Sequence, residues 1–399
     1  LIYAYKHWGS EKSVEEGGVK ELTRLYVRYH KESEENPSMD DEARKYFKLI
    51  EDGDEECVKL FNRFKEITLK EVGKIYDELD IKFDSYAGES FYNDKMQPVI
   101  DELEEKGLLK TSQGAKIVDL EEYGMPPCII LRSDGASLYA TRDLAAACYR
   151  KEHYDFYKCL YVVAYQQNLH FRQIFKVLEL MGKPWAKDLV HVAYGMVSLL
   201  DENGNQVAMS TRNGTVVLLE DVLKKCHEKC LEIIEQKNPD LEDKETIARQ
   251  VGTGAVVFGA LSNSKIKDIA FSYDKILNFD GETGPYVQYT AARIKSVLRK
   301  GGEIGKYTVD EVNDDEYQLI ATLSTFPEVV KAAAEKLEPF FITRYAIEVA
   351  SAFNKFYFDC KIIGENENVR NFRLTLCECT LTVITSALKL LGIQVPERM

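Results

Sequence analysis

The 399-residue sequence predicts an α/β protein, in which a partial, mostly parallel sheet is followed by an all-α helical bundle. Two observations carry this expectation. Between residues 81 and 200, short β-branched and aromatic runs alternate with amphipathic stretches, the pattern of βα units. Beyond Glu245 no strand series remains, and apolar residues recur at helical spacing. With 45% apolar residues the chain can fill more than one core, and the change of pattern divides it into residues 1–245 and 246–399.

Ahead of the sheet, Leu22, Leu25, Tyr26 and Tyr29 repeat at helical spacing. "SMDDEARKYFKLI" predicts a second helix capped by Ser38 or Asp40. A third runs from about Glu55 to Leu79 and turns Phe61, Phe64 and Ile67 to one side. Acidic text such as "EDGDEE" reads as solvated faces and links.

The strand candidates are "IKFDSY", "AKIVDL", "CIILRS", "ASLYA", "CLYVVA" and "LVHVAYGMVSLL". Helices are expected from about Asp94 to Gly107, from Thr141 and from about His170. Asn-Gly in "DENGNQ" signals a turn, followed by "VAMSTRNGTVVLL", a helix from Leu219 to Gln236 and a break at "KNPDLED". The rest reads as at least four long helices.

Composition narrows the function. A formal charge of -14 does not advertise a nucleic-acid binder, so any polyanion must be met by local patches and shape. No run of eighteen or more apolar residues appears, and no membrane span is expected. The beginning lacks an initiator Met, a basic start and a small-residue cleavage site. We therefore expect no signal peptide and a chain cut upstream. The nine cysteines read as reduced and buried, since Cys226-His227-x-x-Cys230 and Cys377-x-Cys379 lack matching second pairs. No metal site is expected, and the location is expected to be cytoplasmic.

In a parallel sheet, ligands collect beyond the strand C-termini, which picks out residues 139–143 and 164–170. Thr141 reads as an N-cap with Asp143 in the first turn, so Tyr139 and Asp143 offer a hydroxyl and a carboxylate to a cationic ligand. A guanidinium fits such a carboxylate with two parallel charged hydrogen bonds. The alternative is that Asp143 only stabilises a helix start. Gln166, Gln167 and His170 occupy the second junction, where they can fix a small ligand or serve as ordinary caps.

Taken together and in order, "SDGASLYATRDLAAACYR", "QQNLHFRQIFKVLELMG", "HVAYGMV" and "MSTRNG" resemble an arginyl-tRNA synthetase of class I. "FDGETGPYVQYTAARIKSVL" resembles the start of that family's anticodon-binding domain, and "LLGIQVPERM" its ending. The resemblance implies a Rossmann-like catalytic sheet and a reaction in two steps. Arginine and ATP, with Mg2+, form arginyl-adenylate and pyrophosphate; the arginyl group then moves to the terminal ribose of arginine tRNA. Carried over residue by residue, it puts Tyr139, Asp143 and Gln167 at the arginine side chain. It puts His170, Tyr194, Gly195 and Met196 on the nucleotide side, with Gly195 permitting close approach to the adenine.

The resemblance also makes Met209, Ser210, Thr211 and Arg212 the loop that handles the departing pyrophosphate, with Arg212 supplying charge in the transition state. Asn213 stands where many relatives have another cation. Tyr286, Tyr289, Arg293 and Met399 are implied on the anticodon side, where aromatics can stack on an unpaired base. Judged without the resemblance, that aromatic stripe reads more often as helix core. The family's His-Ile-Gly-His-like element is absent from residues 1–399. An N-terminally truncated, monomeric ligase is the leading expectation, with the activity of this stretch alone left open. A noncatalytic tRNA-binding or regulatory module is the second reading.

Overall fold

The computed structural model describes residues 1–133, 135, 137–200, 206–207, 217–309 and 311–399. Its first elements are the helices α1 (Ile2–Trp8), α2 (Glu11–Glu35), α3 (Ser38–Glu51), α4 (Glu55–Glu78) and α5 (Met96–Glu105). Strands β1 (Leu109–Ser112), β2 (Ala115–Val118) and β3 (Cys128–Leu131) follow, then α6 (Tyr139–Tyr154), β4 (Cys159–Ala164) and α7 (Asn168–Leu180). Next come β5 (Leu189–Tyr194), β6 (Val197–Leu200), β7 (Gln206–Val207), α8 (Leu219–Lys237), α9 (Lys244–Leu261) and β8 (Ile269–Phe271). The chain ends in α10 (Tyr273–Ile276), α11 (Gly284–Gly301), α12 (Asp314–Ser324), α13 (Phe326–Lys336), α14 (Phe340–Asp359) and α15 (Glu367–Leu390).

Two compact units share these elements. One comprises Phe83–Met196 with Ile266–Asp268; the other comprises Leu1–Lys82, Val197–Lys265 and Ile269–Met399. In the first, Leu103, Leu120, Ile130, Leu144, Ile174 and Leu178 are fully buried together, closing α5, α6 and α7 over the strands. Burying each such side chain stabilises the fold by roughly 1.5–3 kcal/mol. In the second unit, the helical core draws on Phe258 of α9, Ile294 of α11, Phe353 and Phe356 of α14, and Cys377 and Ile384 of α15. On α14 the buried residues Ile342, Tyr345, Val349, Phe353 and Phe356 recur every three or four positions, which keeps one stripe facing that core. Capping groups hold the ends: Asn313 and Glu316 form a reciprocal box at α12, and Asn366 accepts from the Val369 amide at α15.

The order of α/β text before helical bundle therefore stands. The strands are distributed over three small sheets. β4 and β5 run parallel, as do β6 and β8, whereas β1–β2–β3 form an antiparallel meander and β7 pairs antiparallel with β6. Several local expectations are corrected. "IKFDSY" forms no strand: Asp80, just ahead of it, takes a positive φ of 52°, and Ile81, Phe83 and Tyr86 are exposed. The helix expected from Asp94 opens with a 3-10 turn over Glu89–Lys95. At α3 the cap position is Pro37, and the Ser38 hydroxyl donates to Asn36 Oδ1 instead of receiving a backbone amide.

Among the described residues of "ASLYA", Ser137 bridges to Leu131, and α6 already begins at Tyr139. Thr141 is thus inside the first turn and not the N-cap, which falls on Leu138; Asp143 lies one turn beyond Tyr139. The fully buried Thr141 hydroxyl donates to the Ile130 carbonyl of β3, pinning the helix start to the sheet. Two strands were not anticipated, β1 and the three-residue β8.

Candidate functional site

The parallel register pairs Ala164 of β4 with Tyr194 of β5, so both strands end side by side. A 3-10 turn over Tyr165–Gln167 and the start of α7 follow the first end, and Gly195 and Met196 follow the second. Gln167, His170, Tyr194, Gly195 and Met196 therefore occupy the place where an α/β sheet collects ligands. Residues 139–143 supply the other part of the cluster.

Because α6 starts at Tyr139, Tyr139 and Asp143 share one helix face at i and i+4. His170 Nε2 lies 2.7 Å from Asp143 Oδ2, and these side chains are 15% and 19% exposed. A carboxylate only accepts, so His170 Nε2 carries the proton and donates it. The Tyr139 ring lies 4.5 Å from the imidazole at 34°. Burial, reinforced by Asp143 and Glu89, pushes the Tyr139 hydroxyl above its ordinary range, which keeps it a neutral donor. Gln167 is half-buried at the N-cap position of α7. The structure thus brings Tyr139, Asp143 and His170 together, with His170 committed to Asp143.

At the end of β5, Tyr194 and Met196 are exposed. A Cβ on Gly195 would stand 2.4 Å from the Lys267 carbonyl oxygen and 2.8 Å from the Asp268 nitrogen. The close approach that requires glycine is therefore made by the protein's own backbone. The Met196 amide donates to Asp268 Oδ1 at 2.7 Å. Sequence reading missed Asp268, since no local signal relates it to a residue 72 positions earlier. Met209, Ser210, Thr211 and Arg212 lie outside the described residues.

In the helical unit, Tyr289, Arg293 and Met399 line one cavity of about 530 Å3, together with Tyr357, Arg299 and Arg398. Arg293 donates to Asn354 Oδ1 at 2.6 Å and lies over the rings of Tyr289 and Tyr357, at 4.9 and 5.5 Å. Tyr286 sits one layer deeper, packed on the helical core, where its hydroxyl accepts from Asn354 Nδ2 at 3.0 Å. Asn354 and Tyr357 were not anticipated; they approach from α14, more than sixty residues later.

Among the described residues no cluster of His, Cys, Asp or Glu could hold a metal ion, and no helix is long and apolar enough to cross a membrane. Cys226, Cys230 and Cys377 are free and buried; Cys379 is free and exposed.

Residues 1–273 match the family model described as tRNA synthetases class I (R), catalytic domain, and residues 287–399 match the DALR anticodon binding domain. That pairing, on this sheet and bundle, defines a class I aminoacyl-tRNA synthetase. The chain is 52% identical to the arginine–tRNA ligases of Clostridium beijerinckii and Halothermothrix orenii, in each case over all of its own length and 70% of the relative's. The structure of Thermus thermophilus arginyl-tRNA synthetase superposes with a TM-score of 0.85 at 26% identity, covering all of this chain and 73% of that one. The chain belongs to the arginyl-tRNA synthetase family.

Proposed function

We propose that this chain carries the arginine-recognition, nucleotide and anticodon-side parts of an ATP-dependent arginine–tRNA ligase. The observation that carries the reading is the Asp143 carboxylate, largely buried beside Tyr139 where the parallel strands end. A guanidinium can meet both oxygens of such a group, and a neutral or shorter substrate would leave it unpaired at a cost of roughly several kcal/mol. Gln167 stands at the same strand end and serves the same ligand.

In the first step the arginine carboxylate attacks the α-phosphorus of ATP, the bond to the β-phosphate breaks and pyrophosphate leaves. Tyr194, Gly195 and Met196 lie along the adenine, and ATP enters as its magnesium complex. Arg212, with Met209, Ser210 and Thr211, stabilises the charge that develops on the leaving pyrophosphate. In the second step a hydroxyl of the terminal tRNA ribose attacks the arginyl carbonyl and AMP departs. Tyr289, Arg293 and Met399 meet the anticodon side of the tRNA from the helical cavity, and Tyr286 supports them.

We put the boundary between catalytic and anticodon parts near residue 245, at the start of α9, because Phe258 of that helix packs into the core of α11, α14 and α15. The catalytic family match runs further, to residue 273. A monomer working in the cytoplasm completes the proposal.

The deciding measurement is arginylation of cognate tRNA by the natural full-length protein, run beside residues 1–399. Arginylation by the full-length protein is expected. A folded full-length protein that binds tRNA without charging it would support the noncatalytic reading.

A further inference from the structure

We propose that His170 is a positioning residue for arginine recognition: it donates to Asp143 and fixes the plane of the carboxylate that receives the substrate guanidinium. This inference rests on the assignment of Asp143 to the arginine side chain.

Three observations support it. The 2.7 Å contact between His170 Nε2 and Asp143 Oδ2 takes only one of the acceptor positions on that oxygen. Among the described residues no other group bonds to this carboxylate, which leaves Oδ1 and the second lone pair of Oδ2 for a two-pronged ligand. The imidazole is itself held in place: its ring packs on Tyr139 at 4.5 Å and on Phe171 at 5.2 Å. Phe171 is buried in the sheet core, so the donor stands on a rigid support. Finally, Asp143 and His170 come from different helices, α6 and α7, and their side chains are each less than one-fifth exposed. A carboxylate so placed would be free to rotate without the imidazole, and a bidentate guanidinium needs its two oxygens in one orientation.

The geometry separates this role from a nucleotide contact. With Nε2 engaged by Asp143, a nucleotide contact would fall to Nδ1 and would show in the KM for ATP. As a positioning residue, His170 acts through Asp143, so its effect falls on arginine and vanishes when Asp143 no longer matters.

The test uses steady-state kinetics of the full-length enzyme with His170→Ala, His170→Asn and His170→Gln, beside Asp143→Asn and the double variant Asp143→Asn/His170→Ala. Glutamine places an amide donor at nearly the reach of Nε2; asparagine falls short of it. Ala and Asn are expected to raise the KM for arginine about tenfold or more, as for a lost hydrogen bond to a charged group, with the KM for ATP within about twofold. Gln should restore arginine KM to within about threefold of the parent. The double variant should be no worse than Asp143→Asn, because coupled residues do not add.

A rise in ATP KM alone, equal rises in both, failure of Gln to rescue, or additive losses in the double variant would each overturn the proposal. If Ala does not fold, the contrast between Asn and Gln decides. An unchanged arginine KM in Asp143→Asn would sink the underlying assignment and the proposal with it. A large effect there without one at His170 would remove His170 alone.

Discussion

The Asp268 carboxylate accepts the hydrogen of the Met196 amide at 2.7 Å, and the backbone just ahead of it passes directly against Gly195. Two segments that the sequence separates by 72 residues are thereby closed on each other at the end of β5. Gly195→Ala would force a Cβ to within 2.4 Å of the Lys267 carbonyl oxygen. Backbone on that side cannot swing away as a side chain can. We expect a loss of stability of roughly 1–3 kcal/mol, the usual cost of overpacking, measured by denaturant unfolding. Asp268→Asn, which keeps an acceptor, should be milder than Asp268→Ala; equal losses would remove the amide contact from the account.

Thr141 provides a second test of how the site is built. Its buried hydroxyl donates to the Ile130 carbonyl, and Thr141→Val would leave that carbonyl without its partner. The expected penalty is about 1–3 kcal/mol, with Thr141→Ser largely retaining stability. If Val were as stable as the parent, α6 would not depend on this anchor.

For the helical cavity, Arg293→Ala should weaken cognate tRNA binding about tenfold while leaving arginine-dependent pyrophosphate exchange unchanged. Asn354→Leu should show part of that loss, since Asn354 holds the guanidinium over Tyr289 and Tyr357. Filter binding and exchange assays separate the two activities. Equal effects on both would place Arg293 in folding and not in recognition.

Arg212 lies outside the described residues, and the role proposed for it rests on the resemblance of the Ser-Thr-Arg text to the family's loop. Arg212→Ala should slow arginine activation by about a hundredfold or more, the typical loss for a donor aimed at transition-state charge. Single-turnover adenylate formation reads this directly. An unchanged rate would take Arg212 out of the mechanism.

His227 on α8 sits 3.2 Å from Glu78 of α4 and 3.0 Å from the Thr253 hydroxyl of α9. Burial lowers its pKa below the ordinary 6.5 and outweighs the opposing pull of Glu78. The unfolded chain therefore takes up the proton first as pH falls. Stability is full above about pH 6.5 and declines as pH drops toward the lowered folded value. His227→Gln should flatten the decline between about pH 7 and 5, measured by unfolding at stepped pH. An unaltered slope would assign the acid sensitivity elsewhere.

Sequence reading found most helices, because their apolar stripes face cores that lie within one element's reach. It misjudged the start of α6. "ASLYA" has strand composition, yet Thr141 finds its acceptor on β3 and helix wins over strand. The same shift explains why Tyr139 and Asp143 were placed across a strand-to-helix junction when they stand on one helix face. Gly195 reads as a position of close approach, and the backbone at Lys267 does pass directly against it. Asp268, Asn354 and Tyr357 gave no local signal, since each matters only through a partner far along the chain.

By itself, the sequence determined the order of α/β text before helical bundle and the family. Those depend on residue type, spacing and periodicity, which are local. Only the tertiary structure decided that His170 meets Asp143 and that Arg293 is held by Asn354. Such relationships are set by which faces pack together. That choice is made by the burial of whole elements and by hydrogen bonds between segments distant in the chain.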